Sequence, residues 1–231
     1  MSPAMTTETA VPSPSARRKV AVLISGGGSN LQSLIDHAKE PDFPAEIVQV
    51  LSNKPDAYGL KRAEQAGIPT SVVEHKNHPT RESFEAEMNR ILEPLGVEAL
   101  CLAGFMRLLS PGFVNHWYDR ILNIHPSLLP SFRGLHTHRE ALATGVRIAG
   151  CTVHFVRPEM DVGPIIIQAA VPVLPEDTEE ALAARVLREE HRIYPIALRL
   201  WAENRLEIRN ERVHIRGYAV PERALLNPPS A

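Results

Sequence analysis

The chain has 231 residues, 44% apolar and 23% charged, the balance of an ordinary globular protein with length for one or two domains and a sizeable core. With 25 Lys and Arg against 27 Asp and Glu the net charge is −2, which gives no electrostatic reason for a nucleic acid or an anionic membrane as partner. No run approaches the roughly 18 apolar residues of a spanning helix, and Cys101 and Cys151 stand singly in apolar stretches, as reduced buried thiols do, so the expected location is cytoplasmic.

Residues 1–18 are rich in Ser, Thr, Pro and Ala, and they lack the large apolar side chains whose burial offsets the entropy of ordering. They are expected to be a disordered extension, followed by one domain over 19–209 and a tail over 210–231. VAVLIS (Val20–Ser25) reads as a buried strand, Gly26–Gly28 as a tight turn, and Leu31, Leu34, Ile35 and Ala38 as one face of a helix. A strand Glu46–Ser52, a helix Ala57–Ala66, a strand Thr70–Glu74, a helix from about Thr80 to Leu92 and a strand Val97–Gly104 continue the alternation. This βαβ succession predicts an α/β fold, a Rossmann-like and mostly parallel central sheet with helices on both faces. Further on come a strand Ile121–His125, a Pro-rich loop to Gly134, a helix around Arg139–Ala143 and strands Gly150–Val156 and Pro164–Val173. A long amphipathic helix Thr178–Asn204 follows, with Asp177 and Glu180 as its expected capping box. Leu206–Arg216 alternates enough for an edge hairpin, and Pro221–Ala231 is expected to fray.

SGGGSN (Ser25–Asn30) joins the first strand to the first helix, where outward backbone amides and the helix dipole favour an anion. Ser29 or Asn30 is expected to cap the helix and to donate to a ligand. A phosphate site is one reading and a plain tight turn the other. A dinucleotide site is disfavoured, because Leu31 stands at the sixth position of G-x-G-x-x-G and the second strand ends in Leu51, Ser52 and Asn53 without an acid. No Lys follows at the Walker A distance.

ILNIHPSLLP (Ile121–Pro130) puts Asn123 and His125 two apart at a strand end, on one face, with Pro126 stopping the strand at the carboxyl edge where α/β sites sit. Downstream lie His136 and His138 in GLHTHRE, His154 within a strand, and Asp161 in a loop shaped by Gly163 and Pro164. A carboxylate beside His125 would favour the imidazolium and make a tunable acid. The H-x-H of His136 and His138 also raises a zinc or manganese reading, without a clear third ligand at short spacing.

These stretches, with SNKPDAYGLKRAEQAGIP (Ser52–Pro69), LAGFMRLLSPGFV (Leu102–Val114), TVHFVRPEMDVGPIIIQAAVPV (Thr152–Val173) and EEHRIYP (Glu189–Pro195), resemble the phosphoribosylglycinamide formyltransferases of purine biosynthesis. Methionyl-tRNA formyltransferases and formyltetrahydrofolate hydrolases share the Asn, His and Asp; GLHTHR is similar to the ribonucleotide enzymes alone. The sequence departs from the family pattern at Gly27, where many members carry Asn, and at Val162, where many carry Gly. The resemblance implies a single formyltransferase-type domain that moves the formyl group of 10-formyltetrahydrofolate to 5-phosphoribosylglycinamide, as monomer or homodimer, with no metal. It implies catalytic roles for Asn123, His125 and Asp161, ribonucleotide contacts from Gly28, Ser29, Asn30 and Glu190, and folate contacts from Arg81, Met106, Arg107, Leu108, Leu109 and Asn123. His136, His138 and His154 would support them.

Overall fold

The computed structural model describes residues 17–217 and Asn227. In chain order the elements are β1 (Arg18–Ile24), α1 (Ser29–Ala38), β2 (Ala45–Ser52), α2 (Tyr58–Gln65), β3 (Thr70–Val72), α3 (Arg81–Leu92), β4 (Ala99–Leu102), α4 (Pro111–His116), β5 (Ile121–His125), α5 (Thr137–Thr144), β6 (Ile148–Phe155), β7 (Ile165–Pro172), α6 (Glu179–Ala202), β8 (Leu206–Arg209) and β9 (Arg212–Ile215). The central sheet has seven strands in the order β3-β2-β1-β4-β5-β6-β7. Pairing is parallel from β3 through β5 and antiparallel at β5–β6 and β6–β7. Strand order reverses between β1 and β4, which opens a crevice outside their carboxyl ends, where ligands of such sheets bind.

The apolar runs are continuous because both faces of the sheet are covered. Along β1, Val20, Val22 and Ile24 pack with α1, α2, α5 and α6, while Ala21 and Leu23 pack with α3 and α4. The expected fold class therefore holds, and several local expectations do not. Arg18 belongs to β1, not to the extension: it pairs with Ala45, bonds Glu98 Oε2 at 2.9 Å and lies 3.8 Å over the Trp201 ring. Residues 1–16 lie outside the described residues, as does the tail expected to fray, Asn227 excepted. The hairpin forms, but β8 and β9 make a sheet of their own rather than an edge of the large one, so part of the expected tail is structured.

The cap of α6 also differs from expectation. Thr178, not Asp177, accepts from the Ala181 N–H, and Asp177 instead accepts from the Leu174 N–H and grips Arg185 at 2.6 and 2.8 Å. A guanidinium at that range satisfies the carboxylate better than a helix amide does. Further along α6, Pro195 has no N–H, which leaves the His191 carbonyl without its intrahelical donor. Ser33 Oγ on α1 supplies that donor at 2.6 Å, so a proline in one helix is matched by a serine in another. Ser33→Ala should lower stability by about 1–2 kcal/mol, the cost of a half-buried unpartnered carbonyl, read as a lower denaturant midpoint; an unchanged midpoint would remove this contact from the fold's support.

Candidate active site

The first side of the site is the turn after β1. Gly28 has φ 70°, and a Cβ there would stand 2.7 Å from the Gly59 Cα, so glycine is required twice over. The Gly59 N–H holds Gly26 O at 3.0 Å and Arg62 Nε holds Gly27 O at 2.9 Å, while Gly26 and Gly27 face open space. Neither Ser29 nor Asn30 caps α1: the N-cap is Gly28, and the first intrahelical bond is Gln32 N–H to Gly28 O. The preceding helix amides are thus left for a ligand, in the field of the Arg62 charge.

Asn30 is buried instead and donates through Nδ2 to Glu190 Oε2 at 2.6 Å. Burial raises the Glu190 pKa, against the pull of that amide. Among the described residues Asn30 Oδ1 and His191 Nε2 are buried polar atoms with no partner. Polar atoms stranded in this way suit a polar ligand at the mouth of the turn.

The second side is built where β5 ends. His125 is 6% exposed, and its Nε2 lies 3.0 Å from Phe132 O. A carbonyl only accepts, so Nε2 carries the proton and Nδ1 is the nitrogen left for chemistry. Nδ1 faces Asp161 Oδ1 at 3.7 Å, beyond hydrogen-bond length but well within Coulombic reach. Asp161 Oδ2 accepts from the Gly134 N–H at 3.0 Å, and its backbone sits at φ 57° in the left-handed region that aspartate tolerates.

Position follows from two loops. The loop after β5 is pegged by Thr152 Oγ1, which donates to Ser127 O at 2.7 Å and accepts from the Leu129 N–H and from Gln168 Nε2. The loop carrying Asp161 is pressed onto β6: a Cβ on Gly163 would lie 1.6 Å from Phe155 O. Asn123 sits opposite His154 in the β5–β6 register, and its Nδ2 is 3.1 Å from His154 Nε2. His154 Nδ1 lies 2.9 Å from Phe155 O, which again only accepts, so the ring is the neutral Nδ1–H tautomer and Nε2 accepts from Asn123. That fixes the amide with its second N–H and its oxygen free.

The remaining expected residues are less closely joined. His138 is half-buried, with its pKa lowered by burial against the pull of Glu179 and lowered further by the His125 charge, whereas His136 is exposed at the N-cap of α5. Met106 and Leu108 are each 60% exposed after β4, Arg107 is exposed and Leu109 is buried. The Met106 N–H is held by Ser25 Oγ at 2.7 Å. Arg81 is exposed on the first turn of α3 and has no hydrogen-bond or ion-pair partner among the described residues. Among the described residues no three His, Cys, Asp or Glu side chains gather as a metal site. Sequence reasoning passed over Ser25, Thr152 and Gln168; the last two carried a signal, polar side chains inside apolar strands.

The fold is that of a doubly wound α/β protein, and these two sides form a candidate active site at the sheet's carboxyl edge. From residue 18 to 198 the chain matches the formyl transferase family model, and it belongs to that family. It is 46% identical over 202 residues to the phosphoribosylglycinamide formyltransferase of Escherichia coli (strain K12), covering 87% of this chain and 95% of that one. It is 54% identical over 190 residues to the trifunctional purine biosynthetic protein adenosine-3 of Gallus gallus, covering 82% of this chain and 19% of that protein, so the chain spans about a fifth of that relative. The crystal structure of glycinamide ribonucleotide transformylase 1 from Symbiobacterium toebii superposes with a TM-score of 0.84 at 50% identity, over 86% of this chain and 94% of that one.

Burial holds the His154 pKa below the usual imidazole value. The unfolded chain takes up this proton below about pH 6.5 while the folded chain resists it, so stability falls as pH drops through that value towards the lowered one. Between pH 7.5 and 5.5 the wild type should lose more stability in denaturant titrations than His154→Phe, His138 and His191 contributing equally to both. Equal losses would contradict the neutral tautomer.

Proposed function

We propose that the protein transfers the formyl group of 10-formyltetrahydrofolate to the amine of 5-phosphoribosylglycinamide, giving formylglycinamide ribonucleotide and tetrahydrofolate in purine biosynthesis. The observation that carries this reading is the Asn123, His125 and Asp161 cluster at the carboxyl edge, flanked by the glycine turn and by the exposed apolar Met106 and Leu108. Family membership and the near full-length match to the Escherichia coli enzyme support it. Cytoplasmic location belongs to the same reading, supported by the two buried, unpaired thiols, and so does assembly as monomer or homodimer.

The reaction forms one C–N bond and breaks another. The amine nitrogen attacks the formyl carbon, the carbonyl oxygen becomes an oxyanion, and its collapse expels the folate nitrogen, which takes the proton the amine gives up. The free N–H of Asn123 and the Nδ1–H of charged His125 donate to the oxyanion. Asp161, 3.7 Å from that nitrogen, relays the proton, directly or through water. The glycine turn through Gly28, Ser29 and Asn30 holds the phosphate and Glu190 the ribose hydroxyls. Arg81 and residues 106–109 line the folate side, where an apolar strip suits a flat heterocycle.

Supplying labelled formyl donor tests the reading. Label should reach the ribonucleotide, with no release when the ribonucleotide is omitted; release to water without it would make the protein a hydrolase. Asp161→Asn should cut turnover roughly 10²- to 10⁴-fold with phosphate affinity retained, and near-wild-type turnover would sink the relay. Asn30→Ala should raise the ribonucleotide KM; an unchanged value would remove Asn30 from the phosphate side.

A further inference from the structure

Ser25 is the residue between the last position of β1 and the glycine turn, at the point where the strand order reverses. It is 4% exposed, and its hydroxyl both donates and accepts. Ser25 Oγ donates to Asn53 Oδ1 at 2.5 Å and accepts from the Met106 N–H at 2.7 Å. Asn53, itself buried, lies at the end of β2 and reaches His75 Nδ1 at 3.4 Å through Nδ2. One hydroxyl therefore ties together the carboxyl ends of three strands, β2, β1 and β4.

We propose that Ser25 is a positioning residue for the folate side of the site, setting the course of residues 104–109 through its hold on the Met106 amide. This rests on the reading that those residues meet the folate. Residues on either side are anchored otherwise, Ala103 N–H to Leu23 O and Ser110 N–H to Glu85 Oε1. Between those anchors, among the described residues, the Met106 N–H bond to Ser25 is the segment's hydrogen bond to the rest of the fold. Both exposed apolar side chains, Met106 and Leu108, hang from that span.

The effect is selective by construction. The glycine turn does not depend on the Ser25 hydroxyl, because Gly59 and Arg62 hold its carbonyls from α2. Losing the hydroxyl strands the part-buried Met106 amide beyond β4 and the buried Asn53 oxygen beyond β2, and leaves the phosphate side in place. Threonine keeps the oxygen and suits a strand end, so it should substitute.

The test compares Ser25→Ala and Ser25→Thr with the wild-type chain. The probes are 5,8-dideazafolate binding, inorganic phosphate binding, both KM values, and hydrogen exchange over residues 103–110. Ser25→Ala should weaken dideazafolate and raise the formyl-donor KM about tenfold, the scale of one lost hydrogen bond. Phosphate affinity and the ribonucleotide KM should stay within about twofold. Exchange at Met106 should speed up, and Ser25→Thr should restore all three folate-side readouts.

Wild-type binding by Ser25→Ala, or equal weakening of both substrates, would overturn the proposal and reduce Ser25 to a structural residue. If Ser25→Ala does not fold, Ser25→Cys, which puts a weak sulfur acceptor in place of the oxygen that holds the Met106 N–H, should shift the folate side alone in the same direction; no such shift would overturn it equally. A wild type that ignores dideazafolate would instead defeat the functional reading, while Met106 exchange would still report the hold of Ser25.

Discussion

The His125 ring is buried with two nitrogens to satisfy, and much of the site follows from how this is done. Its Nε2 needs an acceptor, which requires the loop after β5 to fold back until Phe132 O is 3.0 Å away. Its Nδ1 faces Asp161, which requires the loop before β7 to come in against β6. Thr152, Gln168 and Gly163 serve those two approaches and touch no reacting group themselves. A ring held from both ends keeps one nitrogen for chemistry and loses little freedom when substrate arrives.

The sheet supplies the rest of the geometry. Parallel pairing through β5 brings the ends of β1, β4 and β5 to one edge, and the reversal of strand order between β1 and β4 opens the crevice there. One wall is then a turn of amides suited to an anion, and the other an exposed apolar segment. On the proposed function, a chain with net charge −2 would handle anionic substrates by local means: helix amides, one guanidinium and a handful of side chains.

How much of this is legible in the sequence depends on the range of the interaction. Strands buried on both faces read as continuous apolar runs, the glycine turn announces itself, and Asn123 and His125 stand out as polar residues in an apolar strand. Pairings across long separations leave no local trace. Asp177 prefers Arg185 to the helix amide, Ser33 answers a carbonyl freed by Pro195, and Ser25 takes an amide 81 residues away. Arg18 looks like part of a low-complexity leader until Trp201 and Glu98 appear beside it. The tautomers of His125 and His154 likewise follow only from which carbonyl each ring meets.

The most direct measurement is a crystal structure of the protein with 5-phosphoribosylglycinamide and 5,8-dideazafolate bound together. The phosphate should lie on the amides that open α1, and the heterocycle against residues 106–109. The glycinamide amine should then point into the gap bounded by Asn123, His125 Nδ1 and Asp161. A phosphate away from the glycine turn, or an amine directed away from that gap, would contradict the proposed formyl transfer.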